Sequence, residues 1–302
     1  MFREGVIVVN KPAGWTSQDV CAKLRGRLHV KRIGHTGTLD PMATGVLPIC
    51  LGRATRIIEY YDLDFKTYRT SMKLGIVTDT LDITGKVLSE SSSIDVDEQS
   101  IMNCIESFIG EIEQIPPKYS AVRINGKRAY ELAREGKDFE IKSRKITIKS
   151  IDNIKIDMEK SQLSFDVTCS KGTYIRTLCD DIGKKLGCGA AMTELTRIAS
   201  GCFNIDNAKS IDEIVEMSDD EINKFILPAD VTLVNLGEIL VDDNVIIAIK
   251  NGNEVFDKYY KITKKTSFEN IYKIYSNEVF LGIGKLIDSI LKMEKVITFG
   301  DI

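Results

Sequence analysis

Histidine is scarce in this chain, with two among 302 residues, and none of the seven cysteines stands in a Cys-x-x-Cys spacing. A Cys/His metal cage therefore has no support. The cysteines (Cys21, Cys50, Cys104, Cys169, Cys179, Cys188 and Cys202) are odd in number and scattered, so reduced thiols in a cytoplasmic protein are expected. No apolar run approaches the roughly 20 residues of a membrane span. The short run from Gly5 to Val9 is too brief for the apolar region of an export signal. No Gly-x-Gly-x-x-Gly follows a strand-like segment, which removes the usual dinucleotide fingerprint. Internal repeats and low-complexity tracts are also absent. What remains, 43% hydrophobic and 28% charged residues, fits a soluble globular protein long enough for one large or two smaller domains.

A strongly basic balance is missing too, since the formal net charge is −3. Taken alone, that argues against a nucleic-acid binder. The distribution says otherwise. Residues 1–80 carry twelve Lys/Arg against seven Asp/Glu, and residues 117–150 carry ten against four. Residues 89–116 hold seven carboxylates and no Lys or Arg, while residues 203–245 hold eleven acids and two lysines. Such segregation can present a basic groove on an acidic molecule, although solvated charge without a partner remains an alternative.

Periodicity predicts a buried strand from Gly5 to Val9 and a helix capped by Thr16 or Ser17, with Val20, Leu24 and Leu28 on one face. Further strands are expected near 46–51, at Tyr68–Leu74, Tyr119–Ile124, Lys145–Ile156 and Leu163–Cys169. Helices are expected from about Arg53 (Ile57, Ile58 and Tyr61 inward), at Asp97–Ile109 (Ile101, Ile105 and Ile109 inward) and at Tyr174–Leu186. Ser210–Asp230 reads as an acidic helical connector, and residues 232–302 as β-rich. Strands and helices intermix without regular β-α alternation, so the expected class is α+β with a mixed, mostly antiparallel sheet flanked by helices. The expected division is residues 1–230 and 231–302.

The run from Gly34 to Pro48 holds three glycines and two prolines in fifteen residues, with Asp40 at its centre. Pro41 biases Asp40 toward an extended backbone. A rigid, non-repeating loop presenting one carboxylate suits a reactive group. A surface turn in which Asp40 bonds its own backbone uses the same residues.

GHTGTLDPMATGVLPICLGRATR, residues 34–56, resembles the catalytic motif of the TruB family of pseudouridine synthases. VVNKPAGWTSQDV upstream, and KTYRTSMKLGIVTDTLDITG, PPKYSAVRINGKRAYELAREG and CSKGTYIRTLCDDIGKKLGCGA downstream, follow the family's order and spacing. The resemblance implies a stand-alone bacterial enzyme that turns uridine 55 in the T arm of tRNA into pseudouridine. It also implies a small PUA-like RNA-binding domain at the C-terminus. That isomerisation breaks N1–C1′ and forms C5–C1′ without redox change, so no cofactor and no metal is expected. The partner is tRNA rather than a membrane, and a monomer is expected.

The resemblance places the essential carboxylate at Asp40, its arginine partner at Arg176 and a tyrosine against the flipped base at Tyr68. Tyr174 and Leu195 would line the uridine pocket, and His35 would hold the displaced nucleotide. Lys11 would brace the site or touch phosphate. Arg176 would favour the ionised Asp and orient it; read alone, it could equally pair with Asp180 four residues on. The target base must leave its stack, so phosphate contacts are needed to offset the cost. Lys31, Arg32, Arg53, Arg123, Lys127 and Arg128 are the candidates. Three rival readings stand beside this one. A non-catalytic RNA-binding or RNA-folding protein would not need Asp40, Tyr68 and Arg176 together. A carboxylate hydrolase would want a second acid, for which Asp79 or Asp82 sits in turn-like sequence. The related class that works in guide-RNA particles is less expected, because the chain opens directly into the first motif.

Overall fold

The computed structural model describes residues 3–297 apart from 64, 92–93, 231 and 267, and says nothing of the side chains of 62 and 63. Its centre is a nine-stranded sheet. The strands run in the order Gly5–Lys11, Thr44–Leu51, Ala190–Ser200, Lys66–Leu74, Gln162–Cys169, Arg144–Asp157, Gly110–Gln114. Ile33–His35 pairs beside Thr44–Leu51, and Phe203–Asn204 pairs beside Ala190–Ser200, to make the nine. Only the contact of Thr44–Leu51 with Ala190–Ser200 is parallel along that path; the other pairings are antiparallel. The α+β class is as the sequence predicts.

Burial explains two unlike strand sequences. Lys66–Leu74 alternates buried and accessible residues, as a sheet with one covered face requires. Gly5–Lys11 reads Val-Ile-Val-Val because both faces are covered. Ile7 and Val9 enter the main core, while Val6 and Val8 enter a second core. Val46, Tyr61, Leu233, Phe280 and Ile283 share that second core, which joins the main sheet to the C-terminal part. The latter is a separate six-stranded sheet running from Gly237 to Val296, which agrees with the expected β-rich tail.

Helix α1 (Ser17–Leu28) buries Val20, Leu24 and Leu28, each contributing about 1.5–3 kcal/mol. Thr16, not Ser17, is its N-cap, in a reciprocal capping box with Asp19. Helix α2 (Glu98–Glu106) stops short of the expected end, so Ile101 and Ile105 are buried while Ile109 lies beyond the helix and is exposed. The element after Arg53 is a 3₁₀ helix, Gly52–Leu63. Ala54, Ile57 and Tyr60 are buried at every third position, the period of that tighter helix; Tyr61 is buried as expected, and Ile58 is only half-buried.

The expected strand Tyr119–Ile124 shrinks to a two-residue ladder, Arg123–Ile124 against Lys127–Arg128, around an Asn125-Gly126 turn with φ of 50° and 86°. Short helix α3 (Ala129–Arg134) follows. Tyr119–Val122 is held instead by backbone bonds from Ala129 to Val122 and from Tyr130 to Ser120. The acidic connector is two short helices, Ile211–Glu216 and Asp219–Phe225, capped by Ser210 and Ser218. Helix α4 (Ile175–Lys185) lies against Ala190–Ser200 so closely that a Cβ on Gly183 would stand 2.2 Å from the amide nitrogen of Ala190.

Candidate active site

Asp40 occupies the connection between Ile33–His35 and Thr44–Leu51, and its neighbours tie that connection down. The Leu39 amide donates to Ser17 Oγ at 2.9 Å, and Ser17 Oγ donates back to the Leu39 carbonyl at 3.3 Å. The Gly14 amide and the Lys11 ammonium both donate to the Pro41 carbonyl, at 2.8 and 3.2 Å. Leu39 and Ala43 are buried on either side. The carboxylate itself stays half-exposed on this anchored backbone.

Arg176, in the first turn of α4, lies beneath it. Its Nη2 stands 2.9 Å from Asp40 Oδ2 and also donates to the Tyr119 carbonyl at 3.1 Å. Its Nη1 donates to the Thr80 carbonyl at 3.1 Å and lies 3.5 Å from Asp82 Oδ2. The alternative partner Asp180 pairs with Lys184 at 2.6 Å instead. Asp82 is buried and accepts from the hydroxyl of Thr80 at 2.9 Å and the amide of Thr84 at 3.0 Å. It orders its turn and backs Arg176, a contact for which turn-like sequence offered no signal. Asp79 accepts from the Lys86 amide at 2.8 Å and closes the adjoining hairpin.

Tyr68 lies on the central strand, buried apart from a narrow edge. Burial pushes its phenol pKa up; the Arg197 charge pulls it down in part, and the Asp40 charge raises it again. Leu195 and Arg197 sit on the same face, opposite Thr70 and Tyr68. Tyr174 is the N-cap of α4, half-buried. Its amide donates to Gln114 Oε1 at 2.8 Å, Gln114 Nε2 donates to its carbonyl at 3.1 Å, and the Arg144 guanidinium covers its ring at 4.8 Å. His35 is half-buried in its short strand, five positions before Asp40.

Of the two roles expected for Lys11, the structure supports bracing, and its place among the substrate-binding residues is corrected. It is fully buried, and its ammonium donates to the carbonyls of Pro12, Trp15 and Pro41 at 2.8, 2.6 and 3.2 Å. Those bonds spend its three protons, so it braces the loop and is not placed to bind substrate or phosphate. Burial pushes its pKa down to about 8, against the opposing charge of Asp40.

The basic candidates Lys31, Arg32, Arg53, Arg123, Lys127 and Arg128 are all exposed. Arg53 is 3.6 Å from Glu4 and Lys127 is 3.5 Å from Glu135. Among the described residues no group of His, Cys, Asp and Glu is arranged to hold a metal ion, and no helix is long and apolar enough to cross a membrane.

Residues 25–175 match the model of the TruB family pseudouridylate synthase N-terminal domain, and residues 176–234 that of the tRNA pseudouridylate synthase B C-terminal domain. The tRNA pseudouridine synthase B of Clostridium perfringens is 46% identical over 294 residues, covering 97% of this chain and 98% of that protein. The chain belongs to the TruB family. The same-named protein of Clostridium tetani is 44% identical over 293 residues, covering 97% of this chain and 99% of its own. The fold is similar to that in a solved Cbf5–Nop10–Gar1 complex, with a TM-score of 0.76 and 28% identity, covering 97% of this chain and 84% of that one. Within this TruB-family framework, sequence reasoning missed Gln114, Arg144 and Arg197. Arg197 lies two residues from pocket candidate Leu195, but Thr193, Glu194 and Thr196 give that run a mixed polarity that marks no site.

Proposed function

We propose that this chain isomerises uridine to pseudouridine at position 55 in the T loop of tRNA, acting on a base flipped out of its stack. The observation that carries this reading is an ionisable carboxylate, Asp40, half-exposed on a rigid loop and tethered at 2.9 Å to a buried guanidinium. Asp40 acts on the sugar, as nucleophile at C1′ or as counter-ion to an oxocarbenium-like carbon. Arg176 pairs with it and aims it. Tyr68 stacks on the base and relays the C5 proton through its phenol oxygen. Tyr174 and Leu195 line the uridine pocket, and His35 holds the displaced nucleotide. The exposed cations of 31–32, 53 and 123–128 grip phosphates and offset the few kcal/mol that unstacking costs. The enzyme works as a cytoplasmic monomer on the T arm, without metal or cofactor, with residues 1–230 as catalytic domain and 231–302 as a PUA-like RNA-binding domain.

The test is incubation with an unmodified tRNA transcript in metal-chelating buffer, followed by mapping of pseudouridine along the product. Modification at position 55 alone, lost with Asp40→Asn, upholds the reading. Tight binding without product favours the non-catalytic RNA-folding alternative, and product elsewhere overturns the substrate assignment.

A further inference from the structure

Arg197 is among the largest fully buried side chains of the molecule. Taking a guanidinium out of water costs several kcal/mol, and an apolar residue of similar size often serves a core equally well. Its contacts show what it holds. Nε donates to the Val46 carbonyl at 2.6 Å and Nη2 to the Gly37 carbonyl at 3.2 Å. Gly37 and Val46 bracket Asp40, so one side chain grips its loop on both sides. On the sheet, Arg197 stands directly opposite Tyr68, and its charge acts on the Tyr68 phenol. The fit leaves no slack. A Cβ on Gly45, whose φ is +99°, would lie 2.2 Å from the Arg197 carbonyl oxygen.

We propose that Arg197 is a positioning residue that locks the Tyr68 phenol and the Asp40 loop into one unit, fixing the distance between the two reacting groups. The inference rests on the roles of Asp40 and Tyr68 given above. It goes beyond them by naming the group that couples them. A rigid link of this kind matters because a misplacement of about 1 Å at a reacting centre can cost roughly 10²-fold in rate. Lysine keeps the charge but, as a single point donor, does not reproduce the fork by which Nε and Nη2 reach the Val46 and Gly37 carbonyls.

A double-mutant cycle tests the coupling. Single-turnover rates on the tRNA transcript are measured for wild type, Arg197→Lys, Tyr68→Phe and the double variant, with tRNA affinity and melting temperature recorded for each. Arg197→Lys should slow the wild type by about 10- to 100-fold while affinity changes less than about twofold. In the Tyr68→Phe background the same change should cost only a few-fold, because the phenol it positions is gone. Equal losses in both backgrounds, or a loss that follows affinity and melting temperature, would overturn the proposal.

Should Arg197→Lys fail to fold, hydrogen exchange decides. Tyr68→Phe, which leaves Arg197 in place, should speed amide exchange across residues 37–46. Unchanged exchange there refutes the link. Failure of the underlying reading looks different, since wild type would then form no product at all.

Discussion

Two Arg–Asp pairs lie on this chain's central sheet and its edge loop, and they are built in opposite senses. In Arg69–Asp166 the carboxylate is the hidden partner, with side-chain exposures of 62% and 9%. Asp166 accepts from Arg69 Nε and Nη2 at 2.8 and 2.9 Å and from Asn153 Nδ2 at 2.9 Å. Its lone pairs are occupied, and the pair fastens strand Lys66–Leu74 to strand Gln162–Cys169. In Arg176–Asp40 the exposures are 7% and 38%, so the cation is hidden and the carboxylate faces outward. The surroundings of Arg176 consist of carbonyls and a second carboxylate, which satisfy it before any substrate arrives. The same two functional groups thus serve cohesion when the anion is saturated and leave it available to a substrate when it is accessible.

The comparison predicts its largest contrast between the two isosteric Asp→Asn changes. Asp40→Asn should cut turnover by more than about 10³-fold with tRNA affinity and melting temperature nearly unchanged, since it removes an exposed charge whose partner keeps its carbonyls. Turnover near wild type would strip Asp40 of its role. Arg176→Lys comes next, at about 10²-fold in kcat, because one ammonium cannot serve Asp40, Asp82 and two carbonyls together. A change confined to KM would instead make Arg176 a binding group.

Asp166→Asn should act on stability alone, by about 1–3 kcal/mol in urea unfolding, the lower end being favoured by the exposure of Arg69. The pH dependence has a definite sign. Arg69 and Asn153 hold the Asp166 carboxyl below its ordinary 3.8. Its stabilisation is therefore fully present above that value and is lost as pH falls through the lower, folded value. Wild type and Asp166→Asn should differ at pH 7 and converge in acid. A deficit persisting at pH 2 would assign the loss to packing, and lost turnover in the folded variant would erase the distinction between the pairs.

What could be read from the chain divides along similar lines. The outer elements were legible because each carries its own periodicity: Val20, Leu24 and Leu28 on α1, or alternation along Lys66–Leu74. Asp40 was legible because its loop is unusual in composition, and Arg176 through the family's motif. The strand Ala190–Ser200 was not foreseen, although it joins the strand after the Asp40 loop to the central strand. Its Ala-Ala-Met start and mixed polarity lack a period, since a bulge between Met192 and Glu194 shifts its facing residues. Arg197 shared its fate, for a charge within such a strand reads as surface until its partners are seen. Gln114 was beyond reach, because its partner Tyr174 is sixty positions away and is bonded through backbone atoms that every residue possesses. The 3₁₀ stretch Gly52–Leu63 was read as a helix, correctly in its inward Ile57 and Tyr61 and incorrectly at Ile58.

The smallest effects should come from the open hairpin, where charges lie on the surface and none is enclosed. Lys127 and Arg128 flank the Asn125-Gly126 turn on the exposed ladder, and Lys127 already shares Glu135 at 3.5 Å. Charge there is screened by solvent, so Lys127→Ala or Arg128→Ala should weaken tRNA binding only a few-fold and leave the single-turnover rate of bound tRNA unchanged. The informative quantity is the salt dependence. If these side chains neutralise phosphates, each substitution should flatten the plot of log affinity against log salt by about 0.7 to 0.9 per lost contact, as fewer counterions are released. An unaltered slope would remove the hairpin from the RNA path, while a lost single-turnover rate would show that it shapes the Asp40 site as well as gripping the substrate.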